Sequence, residues 1–197
     1  MQVEVEARFL GQDHPALRSL LLDAGGVCHA PMRLMRRKVY DFPDRSLDMR
    51  EAWVRVRDEG GQVTMSYKQQ DDPRSVRGTR EVCVTVDSFE KADQLLRAVG
   101  LVQKVYHETK RETWHVGDVQ VELEEWPWVR PYIEIEGPDE TAVRRAAKIL
   151  GLDWSQAVFG STDVYRAEYD VTDHEVNHWK EILFCPVPAW LAAKRLP

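Results

Sequence analysis

Apolar and charged residues alternate strictly near the start of the chain, MQVEVEARFL. From Val3 to Phe9 the odd positions are apolar, and Glu4, Glu6 and Arg8 fall on the other face of an extended segment. The same period of two recurs. Val54 and Val56 oppose Arg55 and Arg57, and Val63, Met65 and Tyr67 oppose Thr64, Ser66 and Lys68. Val82, Val84 and Val86 oppose Glu81, Cys83 and Thr85, while Val119, Val121 and Leu123 oppose Gln120, Glu122 and Glu124. Ile133 and Ile135 oppose Glu134 and Glu136. This alternation predicts half-buried strands, joined mainly as antiparallel neighbours by turns such as Glu59-Gly60-Gly61.

Three segments break that rhythm and read as helices. PALRSLLLDA (Pro15 to Ala24) has Asp13 ahead of it and Gly25-Gly26 behind it. SFEKADQLLRAV (Ser88 to Val99) is amphipathic and ends at Gly100, and DETAVRRAAKIL (Asp139 to Leu150) stops at Gly151. Beyond residue 152 the texture changes. Trp154, Phe159, Tyr165 and Tyr169 are irregularly spaced, Thr172 and Glu175 have capping-box spacing, and Pro186 and Pro188 precede a last short helix, AWLAAKR. The organisation expected is a main domain over 1–160 and a C-terminal helical appendage over 161–197 packed on it.

Composition narrows the classes of function. The chain has 197 residues, enough for one domain with a real core. A formal charge of -6 gives no general affinity for nucleic acid or anionic membrane, so an anionic ligand needs a local basic cluster. Cys28, Cys83 and Cys185 are odd in number and far apart, fitting neither a disulfide framework nor a zinc ribbon. With no long apolar run and no signal-peptide h-region, the expectation is a cytoplasmic protein, monomer or homodimer, with no nucleic-acid or membrane partner.

The charged strand faces carry the candidate chemistry. Acids come in same-face pairs, Glu4/Glu6, Glu122/Glu124 and Glu134/Glu136, and bases come from other strands: Arg8, Arg55, Arg57, Lys68 and Arg111. Positions i and i+2 on a strand lie about 7 Å apart, so two carboxylates can reach one hard cation or two adjacent ones. Magnesium and manganese take carboxylate and phosphate oxygens, and guanidinium forks match phosphate. A two-layer sheet with its polar face in water produces much of the same pattern. A sheet curled into a barrel instead gathers these charges inside. The six histidines show no zinc spacing, and no phosphate-binding glycine loop, dinucleotide fingerprint or nucleophile motif is present.

These residues resemble the CYTH, or triphosphate tunnel metalloenzyme, superfamily, which includes class IV adenylyl cyclases, thiamine triphosphatases and inorganic tripolyphosphatases. Its Glu-x-Glu-x-Lys signature corresponds to VEVEARF. The blocks YDFP, WVRVRDEGGQVTMSYKQ, TREVCV, ETKRETW and VELEEWPWVRPYIEIEG follow in order over roughly residues 1 to 160. The resemblance implies an α+β fold, a closed antiparallel eight-stranded β-barrel with helices packed outside and a charged tunnel inside. It matches Glu4, Glu6, Glu134 and Glu136 to metal-binding acids, and Arg55, Arg57, Lys68 and Arg111 to phosphate-binding bases. It gives Arg8 and Glu124 catalytic roles, with Mg2+ or Mn2+ as cofactor. Arg8 replaces the signature Lys, and Glu124 stands where Asp is common. In TREVCV, strand parity turns Glu81 rather than Arg80 inward, unless a bulge intervenes.

The expected function is metal-dependent hydrolysis of a small-molecule triphosphate, inorganic tripolyphosphate or a small organic one. The same charges suit a class IV-type adenylyl cyclase making cyclic AMP, or a low-turnover polyphosphate- or nucleotide-binding module.

Overall fold

The structure, a computed structural model, describes residues 1–72 and 74–197. The N-terminal segment forms two short strands, β1 (Gln2–Glu4) and β2 (Glu6–Phe9). Helix α1 (His14–Asp23) leads to β3 (Val27–Asp41), β4 (Ala52–Asp58), β5 (Val63–Gln70) and β6 (Thr79–Val86). After α2 (Phe89–Ala98) come β7 (Val102–Val116), β8 (Val119–Glu125), β9 (Tyr132–Glu136) and α3 (Glu140–Ile149). The C-terminal part adds α4 (Asp163–Arg166), α5 (Asp173–Asn177), the two-residue β10 (Glu181–Ile182) and α6 (Ala189–Ala192).

The strands are hydrogen-bonded in the order β1-β6-β5-β4-β3-β7-β8-β9-β2, and β10 lies parallel to β7 off this path. The two ends of the order are consecutive in sequence, so the N-terminal segment draws both sheet edges together into a nearly closed barrel. Nine strands lie on the path rather than the eight expected, because that segment is broken at Val5. Glu4 pairs with Thr79 of β6, while Glu6 pairs with Glu136 of β9. One segment cannot follow both edges without leaving a ladder between them. At the break, the Glu6 N–H donates to the Val76 carbonyl (3.0 Å) and the Val5 carbonyl accepts from Gly137 N–H (3.0 Å). These two bonds replace ladder bonds at the break.

The outer, apolar face of the barrel packs under the helices. Ala7, Phe9, Val121, Leu123, Ile133 and Ile135 meet Leu17 and Leu21 of α1 and Val143, Ala146 and Ala147 of α3 in one cluster. Phe89, Ala92 and Leu96 of α2 pack on Tyr40, Ala52 and Val56. All three helices begin one residue or less from their expected starts, since Asp13, Ser88 and Asp139 accept N-cap bonds from Ala16, Lys91 and Ala142. The α1 end is fixed by Gly25, at φ +76°, and Gly26, whose N–H donates to the Leu21 carbonyl at 2.7 Å. A side chain at Gly26 would meet that carbonyl oxygen.

In the C-terminal part, Thr172 and Glu175 form the capping box on α5. Tyr165, Tyr169, Val176 and Leu191 pack against Trp126 and Tyr132 at one end of the barrel. The two longest strands, β3 and β7, had no clean sequence signal. Their ladder has register shifts at Cys28/Ala30, Ala30/Arg33 and Val39/Tyr40. Each shift moves side chains to the opposite face and erases a period of two. Outward-facing charge compounds this, as Arg36 pairs with Asp58 and Lys38 with Asp93.

Ile135→Ala, at a fully buried position (0% exposed), is expected to cost about 2–5 kcal/mol of unfolding free energy in urea titrations. Val82→Ala, on the uncovered outer face of β6 at 51% exposure, is expected to stay within about 0.5 kcal/mol of the parent.

Candidate active site

Strand alternation places the inward residues of every wall in one lumen. The N-terminal segment contributes Glu4, Glu6 and Arg8, all buried, and β9 contributes Glu134 opposite Arg8 in register. From β8 come Glu122 and Glu124, which lie opposite Glu134 and Tyr132. Arg111 of β7 lies opposite Glu124. Across the barrel, β4 supplies Arg55 and Arg57, β5 supplies Lys68 and β6 supplies Glu81.

These charges pair in three groups. The Arg8 guanidinium bridges Glu6 (2.7 Å) and Glu134 (2.6 Å) and donates to the Phe159 carbonyl (2.7 Å). Arg111 reaches Glu134 and Glu122, each at 3.4 Å, and bonds Glu124, whose other oxygen accepts from Trp126 Nε1 (2.9 Å). Lys68 donates to both oxygens of Glu4 (2.8 Å) and lies 3.7 Å from Glu81, which Arg55 meets at 3.2 Å. Arg57 pairs with Glu59 at 2.7 Å. Pairing of this kind is what permits charge to remain inside a protein.

The balance is uneven from wall to wall. On the β3–β4 side, burial and the neighbouring Arg57 pull the Arg55 guanidinium down to about 9. Arg37, mainly by burial, is pulled to about 10. Opposite, burial pushes Glu122 up to about 7 despite Arg111, and the neighbouring Glu124 adds to the push. Its Oε2 finds no hydrogen-bond partner among the described residues. Burial also lifts Glu4, to about 8, against Lys68, and a hydrogen bond shared with Glu81 leaves the Glu81 carboxyl the ionised member of that pair. Burial disfavours the charge of Glu134, but Arg8 and Arg111 outweigh it and hold the carboxyl at about 2. The lumen therefore has one wall crowded with cations and one crowded with acids.

Every expected site residue except Arg80 lies on the lumen side. Arg80 pairs outside with Asp71 (2.5 Å), and the β5–β6 ladder runs without a register shift, so parity turns Glu81 inward. Glu59, Arg37 and His107 carried no legible site signal in the sequence. Glu59 was hidden in a turn, and Arg37 and His107 in the bulged β3–β7 pair, where parity could not be followed. The run Met35-Arg36-Arg37-Lys38 signalled basic density without saying which residues faced in.

The donor chemistry suits a hard divalent cation. Glu136 makes no ion pair among the described residues, and burial together with Glu6 and Glu134 raises its carboxyl. Glu6, Glu134 and Glu136 thus form a concentration of oxygen ligands short of positive charge on the Glu136 side. Among the described residues no three acidic, histidine or cysteine side chains are already gathered to hold one ion, because Arg8 stands between Glu6 and Glu134.

The sequence signature of the CYTH domain matches residues 2–157. No curated protein sequence is significantly similar to the chain. Solved structures share the fold at low identity. A candidate adenylate cyclase of Vibrio parahaemolyticus aligns with TM-score 0.70 and 17% identity over 82% of this chain and 96% of its own. The PH1819 protein of Pyrococcus horikoshii OT3 aligns with TM-score 0.66 and 20% identity over 83% and 98%. A candidate adenylyl cyclase of Hippeastrum, described as having a dominant triphosphatase activity, aligns with TM-score 0.58 and 16% identity over 93% and 98%.

The raised Glu122 carboxyl sets a pH dependence. Its folded value of about 7 lies above the ordinary 4.5, so its contribution to stability is present below pH 4.5 and lost as pH rises through about 7. Glu122→Gln is expected to remove that loss, worth on the order of 2–3 kcal/mol, in urea unfolding from pH 4 to 8. Identical profiles for the two proteins would show that Glu122 is not strained in this way.

Proposed function

Because the chain belongs to the CYTH domain family, we propose that it hydrolyses a small-molecule triphosphate, with inorganic tripolyphosphate the first candidate, in the barrel lumen. The observation that carries this reading is the cationic wall: buried Arg55 and Arg37 are held below the usual guanidinium range, beside Arg57 and Lys68 on adjacent strands. An oligophosphate supplies the missing negative charge, and guanidinium forks bind its oxygens.

A divalent cation, Mg2+ or Mn2+, held by Glu6, Glu134 and Glu136, would neutralise phosphate charge when bound. The chain's own residues do the rest. Arg55, Arg57, Lys68 and Arg111 grip the phosphate oxygens from separate strands and fix the reacting chain in line. Glu122 Oε2, without a hydrogen-bond partner among the described residues and with its carboxyl raised to about 7, takes the proton from the attacking water. A bond forms from water oxygen to the terminal phosphorus as the bridging P–O bond breaks. The leaving diphosphate keeps the bonding pair, its charge met by the guanidinium wall, and the attacked phosphorus departs as orthophosphate. Glu124, tied to Arg111 and Trp126, aligns the Arg111 fork. Arg8 holds Glu6 and Glu134 as an internal cation in the space a metal would contest.

Incubation of the protein with Mg2+ or Mn2+ and tripolyphosphate, ATP or thiamine triphosphate, with products resolved, tests the reading. Free phosphate from tripolyphosphate supports hydrolysis, cyclic AMP from ATP would replace it with a cyclase, and tight binding without product would leave a binding module. Arg55→Ala is expected to lower kcat/KM by about 100-fold or more. Separately, Arg8→Lys shortens the side chain and removes the two-pronged bridge. Calorimetric Mn2+ titration is expected to show about tenfold tighter binding in that variant, and unchanged or weaker binding would show that Arg8 does not compete with metal.

A further inference from the structure

At the end of the barrel covered by the C-terminal segment, several buried donors surround one indole. The Trp126 ring lies 4.7 Å from the His107 ring, 5.6 Å from Tyr132 and 6.1 Å from Tyr165, centroid to centroid, and the Arg37 guanidinium lies 4.4 Å from its centre. His107 Nε2, Tyr132 OH and Tyr165 OH are all buried without a hydrogen-bond partner among the described residues. Arg37 makes no ion pair among the described residues, and its Nε and Nη2 contact His107 Nδ1 at 3.1 and 2.6 Å.

The chemistry of these contacts fixes their polarity. A guanidinium has no acceptor, so His107 Nδ1 must offer its lone pair and Nε2 must carry the proton. Burial and Arg37 both hold that imidazole neutral. His107 Nε2–H, two phenol hydroxyls and Arg37 are then all donors. Glu124, the nearby carboxylate, is spent on Arg111 and Trp126. Buried donors without acceptors cost free energy, and a ligand rich in acceptor oxygens removes that cost.

We propose that Arg37, His107, Tyr132 and Tyr165 form a subsite for a tetrahedral oxyanion, the terminal phosphate of the substrate or free inorganic phosphate, at the covered end of the barrel. The proposal rests on the triphosphate reading for its biological ligand, though the subsite itself binds phosphate whether or not turnover occurs. Tyr165 belongs to α4 and the other three to the barrel, so the C-terminal segment contributes a wall of the site. A phosphate chain entering the lumen would end here, and the subsite would select for a free phosphate end.

Tyr132→Phe/Tyr165→Phe tests this with little change of shape, since it removes two hydroxyls that find no hydrogen-bond partner among the described residues. Inorganic phosphate and tripolyphosphate are titrated calorimetrically into the full chain and the double variant, and urea unfolding is followed in phosphate-free buffer. The expected result is phosphate binding by the parent, weakened about tenfold or more in the variant, with unfolding stability unchanged or raised. Absence of phosphate binding by the parent, or equal affinity in both proteins, overturns the subsite. So does a variant that loses stability but keeps its phosphate affinity, because its hydroxyls then serve only structural water. The tripolyphosphate hydrolysis assay runs alongside. Phosphate binding that depends on the hydroxyls, without hydrolysis, removes the triphosphatase reading alone; hydrolysis without a hydroxyl effect on either titration removes the subsite alone.

Discussion

Closure of the sheet by the first nine residues is the constraint on which the rest of the molecule depends. β1 bonds one edge and β2 the other, and only this double attachment turns a charged sheet face into a lumen. An open sheet would leave Glu4, Glu6 and Arg8 in water, where their pairs would contribute little. Inside the barrel the same side chains face one another across a space with few competing solvent dipoles. Coulombic effects there are several times stronger than at a surface. The break at Val5 is the local cost of this arrangement, met by bonds from Glu6 N–H to Val76 and from Gly137 N–H to the Val5 carbonyl.

Closure imposes a second demand, that the enclosed charge be balanced. The N-terminal and β9 walls achieve this with Arg8 and Arg111, which tie Glu6, Glu134, Glu122 and Glu124 together. On the β3–β4 wall the cations outrun their partners, which is why burial can depress Arg37 and Arg55. Glu122 and Glu136 show the converse, carboxyls lifted by burial and by neighbouring acids. A protein folded for stability alone would have little reason to hold unmatched charge of both signs apart within one cavity. Separation of that kind suits a ligand that brings anionic phosphate to one wall and, through a cation, positive charge to the other.

Much of the fold was legible because the outer face of each strand is apolar and its inner face polar, a pattern that survives without knowledge of neighbours. The helix boundaries were equally plain, since Asp13, Ser88 and Asp139 cap their own helices through local bonds. β3 and β7 were illegible for a physical reason. Bulges reverse their parity, and both faces of β3 carry bases, Arg36 and Lys38 paired outside while Arg37 points in. Arg37 and His107 were lost with them. Glu59 reads in sequence as part of a glycine turn, and only its bonds from Arg57 and Thr64 mark it as a lumen residue.

The sequence by itself determined which side chains share a strand face, because a period of two is a property of the extended backbone. It also determined where the helices start, because capping is local. The departure of Arg8 from a lysine signature was likewise visible without coordinates. Only the tertiary structure decided which faces meet. The bridge from Arg8 to Glu6 and Glu134, the attachment of Lys68 to Glu4, and the gathering of Arg37, His107, Tyr132 and Tyr165 around Trp126 each join residues distant in sequence. Such contacts follow from strand order, register and bulges, which long-range pairing sets and no local pattern encodes.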